Sequence, residues 1–214
     1  EKGRISLVSS TLSTVITILF LAFKGYGWLD SIIANYYDIP FLQSGLFFLT
    51  LFILSDFISI PFSCYNTFVI EEKYGFNKTT VKTFVIDKIK GYVLTLTIGG
   101  GLLAASLYLV SILVNGFWLW LWIGLAILML FINMFYADII VPIFNKLTPL
   151  ERGSLREKIE AYSKKVGYSL KNIYIIDGSK RSSKANAFFS GLGPRKTIAL
   201  YDTLIEKHTE DELV

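Results

Sequence analysis

Apolar residues run almost unbroken through four stretches of the chain: Ile5–Phe23, Phe41–Phe62, Tyr92–Val114 and Phe117–Phe144. About 20 residues of helix cross a hydrocarbon core of ~30 Å, so each stretch is long enough to span a bilayer. One such stretch alone could be a buried soluble helix. Four within the first 144 residues predict a multi-spanning α-helical membrane protein. Between the last two, Asn115-Gly116 predicts a tight, uncharged hairpin. None of the four has the short apolar core and small-residue cleavage site of a signal peptide.

After Phe144 the period of the pattern changes. Thr148-Pro149 predicts a short turn, and Ser154 followed by Glu157 predicts a capping box that opens a helix. Leu155, Ile159, Tyr162 and Val166 then recur at helical spacing on one face, and Gly167 ends the run. "NIYIID" (Asn172–Asp177) reads as a strand, "ANAFFSGLG" as a second, Gly191–Lys196 as a turn and "TIAL" (Thr197–Leu200) as a third. "YDTLIEKH" predicts a helical turn, and Thr209 with Glu212 forms a second capping box where another helix begins. Residues 145–214 therefore predict the opening half of an α+β domain, following a membrane region over residues 1–144.

Composition agrees, with 53% hydrophobic residues and a mean hydropathy of +0.52, too apolar for an ordinary soluble domain. The formal net charge of +4 invites a nucleic-acid reading, but its distribution removes it. Of 21 lysines and arginines, only Lys24 lies in the loop Lys24–Pro40; the others precede the first span, fall in the loop 63–91, or follow Phe144. By the positive-inside rule the loop 63–91 and the tail 145–214 face the cytoplasm, while Trp28, Trp118, Trp120 and Trp122 gather at the opposite interface. The partner that this charge predicts is a lipid bilayer, not nucleic acid; a bacterial inner membrane and an endoplasmic reticulum both suit it. The single cysteine, Cys64, cannot close an internal disulfide.

Candidate chemistry is sparse. Asp56 lies inside the second span, and an intramembrane carboxylate is costly unless it faces a protein interior or watery cavity, so it marks a possible intramembrane cavity. Asp138 falls at the cytoplasmic end of the fourth span. Gly99-Gly100-Gly101 with Ala104 and Ala105 predicts a helix-packing face. Asn77-Lys78-Thr79 is a glycosylation sequon on the cytoplasmic side, hence expected to be unused. "DGSKRSSKAN" lacks the spacing of a phosphate loop and reads as a solvated basic loop. His208 is the only histidine and sits beside a helix cap, without a second histidine to complete a metal site.

Three longer stretches carry a resemblance: "NTFVIEEKYGFNKTT" (Asn66–Thr80), "YADIIVPIFNKLTPL" (Tyr136–Leu150) and "IDGSKRSSKANAFFSGLGPRKTIALYDTLI" (Ile176–Ile205). Together they resemble the integral-membrane zinc CAAX prenyl proteases of type one. That resemblance implies about seven helical spans around a chamber, with the four here as second to fifth, and a zincin-type protease domain on the cytoplasmic side. It also implies zinc as cofactor, held by an H-E-x-x-H helix after the "DEL" segment and by a later glutamate, the metal activating water for peptide hydrolysis. None of those ligands occurs up to Val214, so the chain is expected to be a piece of a longer protein, inactive alone, with the zinc ligands beyond Val214. "ANAFF" matches the family's substrate-binding edge strand, which makes Asn186, Ala187 and Phe188 the expected contacts to a peptide or prenylated protein substrate. Read without the resemblance, Asn186 is an ordinary turn-prone residue of a strand. Two alternatives stand beside this reading: a membrane quality-control metalloprotease of the heat-shock type, and a non-catalytic scaffold or transporter-like module. The long loop "TFVIEEKYGFNKTT" speaks against the former.

Overall fold

The computed structural model describes residues 1–113 and 115–214, so the expected end of the third span at Val114 lies outside the described residues. Contacts divide them into two compact units: Glu1–Gly75 with Leu94–Asn115, and Phe76–Val93 with Gly116–Val214.

The first unit opens with α1 (Lys2–Ala22), and Lys24 then takes a left-handed conformation, φ 55°, that turns the chain into α2 (Gly25–Tyr36). The sequence predicts a loop, Lys24–Pro40, where this helix stands. Leu29 and Ile33, four residues apart, form the buried stripe that holds the helix in place. Pro40, whose missing N–H costs nothing in a first helical turn, starts α3 (Pro40–Tyr65), which continues as a π-helical stretch over Asn66–Glu71. The helix thus outruns its apolar stretch. Asp56 sits within α3, half-buried.

The next helix, α4 (Val81–Ile112), is divided between the units. Its first turns belong to the second unit, where the Thr80 hydroxyl accepts the Thr83 N–H at 3.1 Å as an N-cap. It starts well before Tyr92: Lys82, Asp87, Lys88 and Lys90 break the apolar run without breaking the helix. In the part of α4 that belongs to the first unit, a Cβ on Gly100 or Gly101 would meet nothing within 4 Å.

In the second unit Gly116, at φ 79°, leads into α5 (Phe117–Phe135), which passes through a π-helical turn (Tyr136–Ile140) into α6 (Val141–Phe144). Four helices are long and apolar enough to cross a membrane among the described residues: Lys2–Ala22, Pro40–Glu71, Val81–Ile112 and Phe117–Phe144.

A four-stranded sheet follows: β1 (Leu147–Pro149), β2 (Asn172–Ile176), β3 (Ala187–Ser190) and β4 (Thr197–Tyr201), in the order β1-β2-β4-β3. β2 and β4 run parallel, and the two edge strands pair antiparallel. Thr148-Pro149 is therefore strand and not turn, and Pro149 is tolerated because β1 lies at an edge. Between β1 and β2 lies α7 (Ser154–Lys165). Its N-cap is Gly153, and the Ser154 hydroxyl bonds to Glu210 instead of closing the expected capping box. Its buried row is Leu155, Ile159 and Ser163, whereas Tyr162 and Val166 are exposed, so the apolar face is turned from the one the spacing suggests. Leu155 and Ile159 close a core with Leu150, Ile173 and Leu200. After α8 (Asp202–Ile205), the last helix α9 (Glu210–Leu213) carries its expected cap: Glu212 accepts the Thr209 N–H at 2.8 Å.

Candidate functional site

The edge strand β3 opens onto a cavity of about 760 Å³ within the second unit. Its other wall is the end of the fourth apolar helix, including Asn133, Tyr136 and Val141. Side chains alternate along a strand with period two. Asn186, Phe188 and Ser190 share one face of the strand and line the cavity, the exposed Phe189 borders it as well, and Tyr201, cross-strand from Asn186, joins them there. Phe188 meets Tyr136 edge to face, with ring centroids 5.9 Å apart.

The hydrogen bonds fix which backbone groups of β3 are spoken for. The Tyr201 N–H donates to the Asn186 carbonyl at 3.0 Å, so Asn186 is a hydrogen-bonded partner of Tyr201, as Phe188 is of Ala199. By the same alternation, the backbone groups of Ala187 and Phe189 point away from β4 to the open edge. Asn186 covers the first of them with its own side chain, its Oδ1 accepting the Ala187 N–H at 2.9 Å. At the far end Gly191 donates its N–H to the Asn133 carbonyl at 3.2 Å and so ties the strand to α5. An open, partly self-capped edge over a mixed polar and aromatic cavity can accept an extended peptide as an added strand.

The structure thus brings Asn186, Ala187 and Phe188 together on one edge. Asp56 belongs to α3 in the other unit. His208 is exposed, with Nδ1 3.7 Å from Glu212 beside the α9 cap. Asp138, in the π-helical turn, faces Lys171 at 3.4 Å and Arg195 at 3.8 Å. Among the described residues no three His, Cys, Asp or Glu side chains come together to hold a metal.

Sequence reasoning missed Arg181, which also lines the cavity. Its guanidinium grips the Asp87 carboxylate through two hydrogen bonds, which push its already high pKa further up and keep it charged. The loop expected to be solvated is therefore anchored. The signal was there in principle, as a lone arginine among lysines and serines, but its partner lies in a segment read as loop.

Comparison with known proteins bears on the fold and the family. Residues 1–146 match the family model described as CAAX prenyl protease N-terminal, five membrane helices. Residues 149–214 match Peptidase family M48. The chain is 37% identical over 231 residues to the probable CAAX prenyl protease 1 of Schizosaccharomyces pombe, with all of this chain and 48% of that protein aligned. It is 36% identical over 218 residues to the human CAAX prenyl protease 1 homolog, covering 98% of this chain and 46% of the relative. A crystal structure of S. mikatae Ste24p superposes with a TM-score of 0.89 at 34% identity, covering 99% of this chain and 51% of that one. The chain thus spans about half the length of the relatives it matches. By its membrane helices and by the sheet that follows them, it belongs to the CAAX prenyl proteases of peptidase family M48.

Proposed function

We propose that the intact protein is a membrane-embedded zinc metalloendopeptidase that cleaves the C-terminal tail of prenylated CAAX-type or similar peptides. The observation that carries this reading is the open edge of β3 above the cavity, with Asn186 and Phe188 turned into it. The family match and the names of the relatives support the reaction class. The residues described here do not supply a ligand set for zinc, so its ligands are assigned to the protein outside residues 1–214 and no step is routed through the metal.

What this chain contributes is binding and orientation. An arriving substrate strand pairs with the outward groups of Ala187 and Phe189, one carbonyl replacing Asn186 Oδ1 at the Ala187 N–H. The freed Asn186 amide then turns to the substrate backbone beside the scissile bond, and Phe188 bounds the cavity with Tyr136. The basic loop and tail face the cytoplasm in this reading, which the lysine and arginine distribution supports. Asp56 is assigned to an intramembrane cavity, a role supported by its half-buried position within α3.

The test is Asn186→Ala in the full-length protein. Leaving a buried backbone partner unpaired costs about 1–3 kcal/mol, so kcat/KM should fall roughly ten- to hundredfold. Zinc content and thermal stability should stay near wild type. Full activity in a normally folded variant would remove Asn186 from the site.

A further inference from the structure

The loop that carries the chain from β2 to the cleft is fastened to the membrane helices at several points. Arg181 donates from Nε to Asp87 Oδ2 at 2.7 Å and from Nη2 to Oδ1 at 2.9 Å, a two-pronged grip on the first turns of α4. Its remaining donors reach Asn145 Oδ1 at 2.7 Å and the Phe144 carbonyl at 2.5 Å, at the C-terminal end of α6. Both side chains of the ion pair are largely shielded, at 22% and 23% exposure, where such a pair is screened far less than on an open surface.

The backbone of the same loop is engaged as well. The Arg181 carbonyl accepts the Lys78 N–H at 3.0 Å and the Thr79 hydroxyl at 3.1 Å, and the Ser183 N–H donates to the Phe76 carbonyl at 3.1 Å. The Lys184 carbonyl accepts the hydroxyl of buried Thr203 at 2.8 Å, and two residues later Asn186 is held by Tyr201. Segment 181–186 is thus pinned from one end to the other, and the pinned segment ends on the residue that faces the cavity. Two stretches that the sequence keeps far apart, Phe76–Thr79 and Arg181–Lys184, are one structural piece.

We propose that Arg181, locked by Asp87, is a positioning residue: it fixes the loop that delivers Asn186 and the β3 edge to the cleft. The inference rests on the substrate-edge reading above. An arginine that served the fold alone would destabilise the whole unit when altered; one that positions the edge acts through Asn186.

The experiment uses the full-length protein in detergent or nanodiscs, a labelled prenylated peptide, and amide exchange at Ala187–Ser190. Arg181→Lys keeps the charge and loses the fork. It should lower kcat/KM about tenfold while the unfolding temperature changes little, and Asp87→Asn should do the same. Combined with Asn186→Ala, Arg181→Lys should add less than about twofold to the loss, because both act on one contact. Exchange of the β3 amides should rise about tenfold in Arg181→Lys whether or not the peptide is cleaved. Losses that multiply in the double variant, a loss that tracks global unfolding, or unchanged β3 exchange would overturn the inference. If Arg181→Lys does not fold, Asp87→Asn, equal in size and shape, carries the same measurements. A wild-type protein that fails to cleave the peptide would sink the proposed function, and exchange would still decide the positioning role.

Discussion

Replacing Gly191 by alanine tests whether the turn after β3 sets the cleft. Gly191 has φ +92°, and a Cβ built on it would lie 2.1 Å from the Arg195 carbonyl oxygen and 2.7 Å from its carbon. Those are backbone atoms, so no side chain can swing aside and the turn itself must move. The left-handed conformation costs an alanine about 1–2 kcal/mol. Moving the turn also releases the Gly191 N–H from the Asn133 carbonyl, a further loss of about 0.5–1.5 kcal/mol. The sum, roughly 1.5–3.5 kcal/mol, raises local opening of β3 about ten- to three-hundredfold, at ~1.4 kcal/mol per factor of ten. Gly193 supplies the control. It too has positive φ, +57°, but a Cβ there meets nothing within 4 Å. Gly193→Ala should therefore carry only the conformational cost, about 1–2 kcal/mol, and leave the Gly191 N–H bonded to Asn133. Amide exchange of residues 187–190 in the two full-length variants reads the difference directly. Equal effects in both, or no effect of Gly191→Ala, would refute the argument that backbone crowding at Arg195 holds the strand end against α5.

Three other outcomes follow from the geometry. Ile173, 2% exposed at the centre of the sheet core, should cost about 2–5 kcal/mol when cut to alanine, and a loss under 1 kcal/mol in denaturant titration would contradict that core. The Ser154 hydroxyl and Lys158 hold the Glu210 carboxyl below its ordinary range, and Lys158 does the same for Asp211. Because folding lowers both values, their contribution is present above the unfolded carboxylate range, near pH 5, and is lost as pH falls below about 4. Proteolysis at α9 should accordingly accelerate on acidification, and Lys158→Ala should blunt that acid sensitivity; an unchanged acid profile in that variant would dissociate the ion pairs from it. A cysteine placed at Lys82 should react with an impermeant reagent only after cells are opened, and labelling of intact cells would reverse the assigned orientation.

The four apolar helices were legible because a bilayer demands length and apolarity, and both are written locally. β2 and β4 were legible for a similar reason: Ile173 and Ile176, or Ala199 and Leu200, are strand-forming or buried runs bounded by turn residues. What escaped depended on partners distant in sequence. α2 is held by Leu29 and Ile33 against neighbouring helices, β1 exists because β2 offers it a ladder, and Ser154 prefers Glu210 to its own helix start. The same division applies to the site. "ANAFF" announced itself as an edge strand through a family likeness, whereas Arg181 acquires meaning only when Asp87 is beside it, 94 residues earlier in the chain.

That separation also has a consequence in time. Arg181 is made 94 residues after Asp87, which at about 5–20 residues per second is an interval of roughly 5–20 s. During it, the remainder of α4 and all of α5 must be synthesised, while Phe76–Thr79 waits for the loop that it will bind. The fastening can close only on a hairpin that has already inserted with both ends on one side. A chain that inserts α5 the wrong way round carries Arg181 across the membrane, away from Asp87, and leaves a shielded carboxylate without its counter-charge. The ion pair therefore forms only in molecules in which both of its carriers, the first turns of α4 and the loop before β3, have come to lie on the same side.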